Sequence, residues 1–147
     1  MKDGYKLIAV GIVLTHNERI KRVEELNAII DSFASAIHSS SDLDGMPHST
    51  TVGDPVGVRA EQIEKIQRER DTEQERINAV EWAVQCISDC YDEEFVPAIM
   101  AALMTSFAGN NDKALNIITA NTPIGVHNFY RAKRNFMQQI NKYLYLK

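Results

Sequence analysis

Between Tyr5 and His38 a single residue, Gly11, opposes helix formation, and from Val58 to Asp89 there is neither proline nor glycine. Two uninterrupted stretches of this length commit the first two-thirds of the chain to long helices. In the first, Ile20, Val23, Leu26, Ile30, Phe33 and Ile37 recur at intervals of three and four, the period of one buried face, so one long amphipathic helix is expected. Its beginning, Lys6 to Leu14, is apolar nearly all round and rich in β-branched residues, which fits either a buried helix end or an oligomer contact. In the second stretch Ile63, Ile66, Ile77, Val80, Val84 and Ile87 follow a seven-residue repeat that places Arg70 and Glu73 inside the seam. Residues Gln67 to Arg76 are charged on every face, a pattern that calls for support from a partner helix.

Residues 39–57 separate the two stretches. They are dense in turn formers and contain Pro47 and Pro55, so they read as a loop, either a plain connector or a functional segment. Helix, loop and helix together imply an antiparallel hairpin or a dimeric coiled coil, since each seam is too narrow to be buried alone. Trp82 lies off the main seam and is expected to anchor the contact with the C-terminal part, or else to sit half-exposed.

Composition narrows the class. A chain of 147 residues supports one domain, or a small domain with a helical appendage, and only 11 are glycine or proline, too few for a turn-rich sandwich or barrel. The longest apolar run, Leu7 to Leu14, is far short of the roughly 18–20 residues that span a bilayer, and no small-residue cleavage site follows it. No membrane association and a cytoplasmic location are expected. Cys86 and Cys90, four apart in a helical stretch, are too few for a disulfide framework or a zinc site and are expected to be buried, reduced thiols.

The net charge of −4 conceals a division. Residues 113–147 carry Lys113, Arg131, Lys133, Arg134, Lys142 and Lys147 and no acid, which leaves ten cations and all twenty acids to residues 1–112. Such asymmetry suits a module that meets a polyanion; the alternative is a basic end that merely keeps the chain soluble. Within this part, Phe95 to Phe107 reads as a helix after the acidic turn Asp92-Glu93-Glu94 and ends at Gly109. A short helix capped by Asp112 is expected to run to about Ala120. Then comes a tight turn, with Thr122 as cap and Pro123 in the first helical position, and a last helix running to about Tyr143.

A short helix, a tight turn and a longer basic helix form the outline of a helix-turn-helix, whose second helix enters the major groove of DNA. Phe129, Ala132, Phe136 and Ile140 take the core spacing in the last helix, and His127, Asn128, Arg131, Arg134 and Gln138 the opposite side. Arginine pairs bidentately with guanine and Asn or Gln with adenine, while His127 or Tyr130 can reach the backbone and Lys133 and Lys142 touch phosphates from the edge. A solvated helix surface is the plain alternative for the same pattern. Candidate DNA-binding residues are thus His127, Asn128, Tyr130, Arg131, Lys133, Arg134 and Gln138.

The order of these elements also resembles bacteriophage transcriptional regulators of the ArpU/RinA type. The resemblance is carried by Gly45-Met46-Pro47, Asp54-Pro55, Ile77-Asn78-Ala79-Val80-Glu81-Trp82-Ala83-Val84 and Ile118 to Arg131, with Phe129-Tyr130-Arg131 in the recognition helix. It covers most of residues 15–142 and implies a C-terminal unit similar to the sigma-factor region that binds the promoter −35 element. It further implies a phage activator of late or packaging genes acting in the host cytoplasm.

The sequence shows no phosphate-binding glycine loop, no His-Glu-x-x-His and no nucleophile elbow, and its four histidines are scattered. The acids Asp89, Asp92, Glu93 and Glu94 lack the alternating ligands and glycine of a calcium loop. No enzyme activity, cofactor or metal is expected. The expectation is an all-α protein with a long-helix arm over 1–90, looped at 39–57, and a helix-turn-helix unit over 91–147. Its expected partners are double-stranded DNA, further copies of itself and host RNA polymerase. The competing reading is a helical interaction or assembly protein without specific DNA binding.

Overall fold

The computed structural model describes residues 3–42 and 55–145. They form six helices: α1 (Asp3–Leu14), α2 (His16–Asp42), α3 (Pro55–Cys90), α4 (Val96–Phe107), α5 (Asn111–Asn121) and α6 (Val126–Tyr145). There is no strand among the described residues, so the expected all-helical class holds at that level. None of these helices is long and apolar enough to cross a membrane.

The single helix expected from Tyr5 to His38 is divided at Thr15. The Thr15 hydroxyl donates to the Gly11 carbonyl at 2.7 Å while its own N–H donates to the same oxygen at 3.1 Å, and α2 starts afresh at His16. A threonine that bonds back four residues is a common cause of a bend or break. The loop expected over 39–57 is shorter at both ends, because α2 continues to Asp42 and α3 begins at Pro55, where proline costs no helical hydrogen bond. The remainder of that loop, with Gly45-Met46-Pro47, lies outside the described residues.

Contacts divide the chain into two compact units, Met1–Asn17 with Glu75–Lys147, and Glu18–Gln74. The division differs from the boundary expected at residue 90, and the reason is apolar burial. Ala9, Ile12 and Val13 of α1 and Ala79, Val80, Ala83 and Ile87 of α3 are buried in one cluster with Ile99, Leu103, Phe107, Ile118, Phe129, Phe136 and Ile140 of α4–α6. Of the two readings left open for the first helix, one side of α1 is a buried helix end.

Within this first unit, Asn141 Nδ2 donates to the Tyr5 carbonyl at 3.3 Å and the Tyr5 and Tyr145 rings lie 5.9 Å apart, which joins α1 to α6. Trp82 satisfies both of its expected descriptions. It is 48% exposed, yet its indole N–H donates to Gln139 Oε1 at 3.3 Å and its ring lies 6.4 Å from that of Tyr143. The thiols differ from expectation: both are free, but Cys86 is half-buried and Cys90 exposed at the end of α3. Burial, followed by Asp89 and Cys90, pushes the Cys86 thiol up, with Lys142 acting in the other sense.

In the second unit Val23 and Leu26 are buried on α2. Arg19 Nη1 reaches Glu73 Oε2 at 2.6 Å, Arg22 Nη2 reaches Glu69 Oε1 at 2.9 Å, and Arg70 Nη1 donates to Asn27 Oδ1 at 3.3 Å. The ascending order on α2 meets a descending order on α3 in the two ion pairs. Arg70 and Glu73, the polar residues inside the heptad seam, thus find partners on α2.

Candidate nucleic-acid interface

The turn geometry of α4, α5 and α6 follows from local sequence. Gly109 takes φ 98°, a left-handed conformation that favours glycine, and lets its N–H and that of Asn110 close the end of α4 on the Ser106 and Thr105 carbonyls. Asn110 caps α5, its side-chain oxygen accepting from the Lys113 N–H at 3.1 Å. The cap is therefore Asn110 and not the expected Asp112, which falls inside the first turn where its charge still suits the helix dipole.

A second correction concerns the turn before α6. Thr122 ends α5 instead of starting α6: its N–H and its hydroxyl both donate to the Ile118 carbonyl, at 3.0 and 2.7 Å. Pro123 stands in the connection, and α6 begins at Val126 with the Gly125 carbonyl accepting from the Phe129 N–H at 3.0 Å. An extended Thr122 before proline is what the pyrrolidine ring demands of its predecessor. The connection from α5 to α6 is residues 122–125.

The division of α6 into two faces appears in its burial. Phe129, Ala132, Phe136 and Ile140 are buried, together with Met137, which the three-four pattern did not include. His127, Asn128, Arg131, Arg134 and Gln138 are exposed, and Tyr130 is 39% exposed with its ring 5.8 Å from that of Phe129. His127, Arg131, Arg134 and Gln138 share one stripe by their spacing of four, three and four. Arg131 Nη2 lies 3.5 Å from His127 Nε2, one turn below it. Lys142 is exposed one turn further along.

Lys133 stands apart from this face. Its ammonium donates to Ser106 Oγ at 2.7 Å and sits 5.5 Å from the centre of the Phe107 ring. The Ser106 hydroxyl in turn donates to Asn111 Oδ1. Burial lowers the Lys133 pKa, since a half-buried ammonium loses hydration. Lys133 thus joins α6 to α4 and, through Ser106, to α5, and six of the seven candidate residues remain on or beside the open face. Ser106 and Asn111 were not anticipated as partners. The signal was present in the phase of α4, where Ser106 shares the buried face with Ile99, Ala102, Leu103 and Phe107. A hydroxyl at a core position needs partners.

Tyr91, just after α3, is half-buried, and burial followed by Cys90 pushes its phenol up while the Arg131 guanidinium acts oppositely. Among the described residues no group of three or more His, Cys, Asp or Glu side chains is placed to hold a metal ion. No family model, curated protein or solved structure matches this chain.

Proposed function

We propose that this chain is a sequence-specific DNA-binding transcriptional regulator in which α5, the 122–125 connection and α6 act as a helix-turn-helix and α6 is the reading helix. One observation carries the reading: in a stretch of 35 residues without a single acid, α6 buries its aromatic stripe and leaves His127, Asn128, Arg131, Arg134 and Gln138 together in solvent. Those side chains are the donors and acceptors that discriminate base edges in the major groove. Arg131 and Asn128 read bases, Arg134 and Gln138 extend the contact, and His127, Tyr130 and Lys142 meet the backbone. Lys133 is a positioning residue that holds α6 on α4. α2 and the part of α3 up to Gln74 serve as a helical arm that dimerises or engages host RNA polymerase, in keeping with the resemblance to ArpU/RinA-type phage activators of late genes in the bacterial cytoplasm.

The test is selection of bound sequences from random duplex DNA at two salt concentrations. A shared motif and a steep fall of affinity with salt are expected. Arg131→Ala and Asn128→Ala should each cost about 1–3 kcal/mol on the selected site and relax one base position, whereas equal loss on every sequence would make them phosphate contacts. Lys133→Ala should change affinity far less than Arg131→Ala. Absence of any enriched motif, with binding indifferent to salt, overturns the reading. The alternative, a helical assembly protein, has its own supporting observation in the exposed apolar side chains of α1.

A further inference from the structure

The two cysteines of the chain stand one helical turn apart at the end of α3, on the same face by their spacing of four. Both thiols are free; Cys86 is half-buried and Cys90, the last residue of the helix, is exposed. The charge of Cys90 is felt at Cys86, so the pair acts as neighbours. Adjacent side chains of α3 are engaged elsewhere: the Ser88 hydroxyl donates to the Val84 carbonyl at 3.1 Å and Asp89 Oδ1 accepts from Gln85 Nε2 at 2.9 Å. Residues four apart on a helix hold their Cβ atoms about 5–6 Å apart, wider than the roughly 3.5–4.5 Å that a disulfide requires. The last turn of α3 is closed by the Tyr91 N–H donating to the Ile87 carbonyl at 3.2 Å. While that turn holds, an atom bridging the two sulfurs fits the span and a direct sulfur–sulfur bond does not.

Two thiolates are a soft donor set, and a small one. Structural zinc takes four ligands and an iron–sulfur cluster four cysteines, whereas among the described residues no group of three or more His, Cys, Asp or Glu side chains converges. Of the biological ions that thiolates select, Cu(I) is the one satisfied by two, because its filled d shell demands no further ligand. A linear sulfur–copper–sulfur bridge also spans more than a disulfide does. The exposed Cys90 meets an incoming ion first, and the half-buried Cys86 completes the pair where less water competes. Binding breaks both S–H bonds, releases two protons to solvent, forms two copper–sulfur bonds and transfers no electron. Burial, ahead of Asp89 and Cys90, pushes the Cys86 thiol up, so the ion must displace its proton. Lys142 acts in the other sense and offsets the negative charge of the resulting complex.

We propose that Cys86 and Cys90 form a two-thiolate site for one Cu(I) ion at the end of α3. This inference does not depend on the DNA-binding reading. It is tested on the full reduced chain, without DNA and without oxygen, by titrating Cu(I) in competition with bathocuproine disulfonate and following the mass by sedimentation. One ion per chain and an unchanged mass are expected, with two sulfur neighbours around copper in X-ray absorption. Cys86→Ser and Cys90→Ser should each weaken binding by more than about 100-fold, beyond what loss of an outer-shell partner costs, with unchanged far-UV circular dichroism. Cys90→Ser combined with Ser88→Cys keeps two thiols on α3 but turns them to different faces, so affinity should stay low. Native affinity in that double variant would show that any two thiols suffice and overturns the site. Failure to compete for Cu(I), binding undiminished by Cys90→Ser, or one ion shared between two chains at doubled mass also overturns the proposal.

Discussion

The two compact units are held by opposite means. In the unit built from α1, the end of α3 and α4–α6, eighteen buried side chains form one cluster, and Ser106 is the buried polar residue among those described. In the unit spanning Glu18–Gln74, Val23 and Leu26 are the buried hydrophobic residues described, and the pairing of α2 with α3 carries Arg19–Glu73, Arg22–Glu69 and Arg70–Asn27. Apolar burial stabilises by roughly 25 cal/mol per Å² and is not screened by salt, whereas an exposed ion pair contributes about 0–1 kcal/mol and is. The difference teaches that the second unit should open locally at lower free energy than the first, and that salt should act on it selectively.

The strongest way to break this contrast is to cut a large side chain from each unit. Phe136→Ala, in the centre of the cluster, should cost about 3–5 kcal/mol and remove hydrogen-exchange protection from α4, α5 and α6 together. Leu26→Ala should cost about 2–4 kcal/mol, with the loss of protection confined to Glu18–Gln74. Uniform loss across both units after Leu26→Ala would show that they fold as one. A smaller effect sharpens the electrostatic half. Arg19 and Glu73 keep only 12% and 20% of their side-chain surfaces in solvent, so a double-mutant cycle of Arg19→Met and Glu73→Gln should return a coupling of about 1 kcal/mol. The exposed pair Arg22–Glu69 should return less, and the part that remains should vanish in molar salt.

The smallest effect tests Lys133, a cation half-buried in the apolar unit. Burial lowers the Lys133 pKa below its ordinary 10.5, so the native chain releases this proton at a pH where the unfolded chain still holds it. Between the lowered value and 10.5 the unfolded chain binds more protons, and the contribution of Lys133 to stability therefore rises with pH in that alkaline window and is level below it. Melting of the native chain and of Lys133→Met from pH 8 upward checks the sign. Any difference in their favour or disfavour at neutral pH should shift toward the native chain as pH rises. A difference that stays constant through pH 10.5 would mean that desolvation does not act on this ammonium.

The elements that depend on periodicity were legible in the residues. The helical stretches, the core stripe Phe129–Ala132–Phe136–Ile140 and the open face of α6 all follow from intervals of three and four. The polar seam residues Arg70 and Glu73 were visible as anomalies, and only their partners Asn27 and Arg19 show what they do. Elements that depend on one hydrogen bond were not legible. Thr15, Asn110 and Thr122 each settle a helix end by a side-chain bond to or from a particular backbone group, and a neighbouring residue of similar type, such as Asp112, fits the same rule. For Lys133, expected at the edge of that face, spacing alone does not reveal that a four-carbon stem can turn toward a serine on another helix.

What the sequence by itself determined is the all-helical class, the amphipathic faces and the confinement of every acid to residues 1–112, because each is a property of composition or of period along one helix. What only the tertiary structure decided is which segments share a core. The joining of α1 and the end of α3 to α4–α6 and the bond of Lys133 to Ser106 are contacts between residues far apart in the chain, and they also decide which apolar side of α1 is buried. A helix apolar on two sides does not announce which side its own protein will cover, since burial is non-directional and is settled by the partners that arrive.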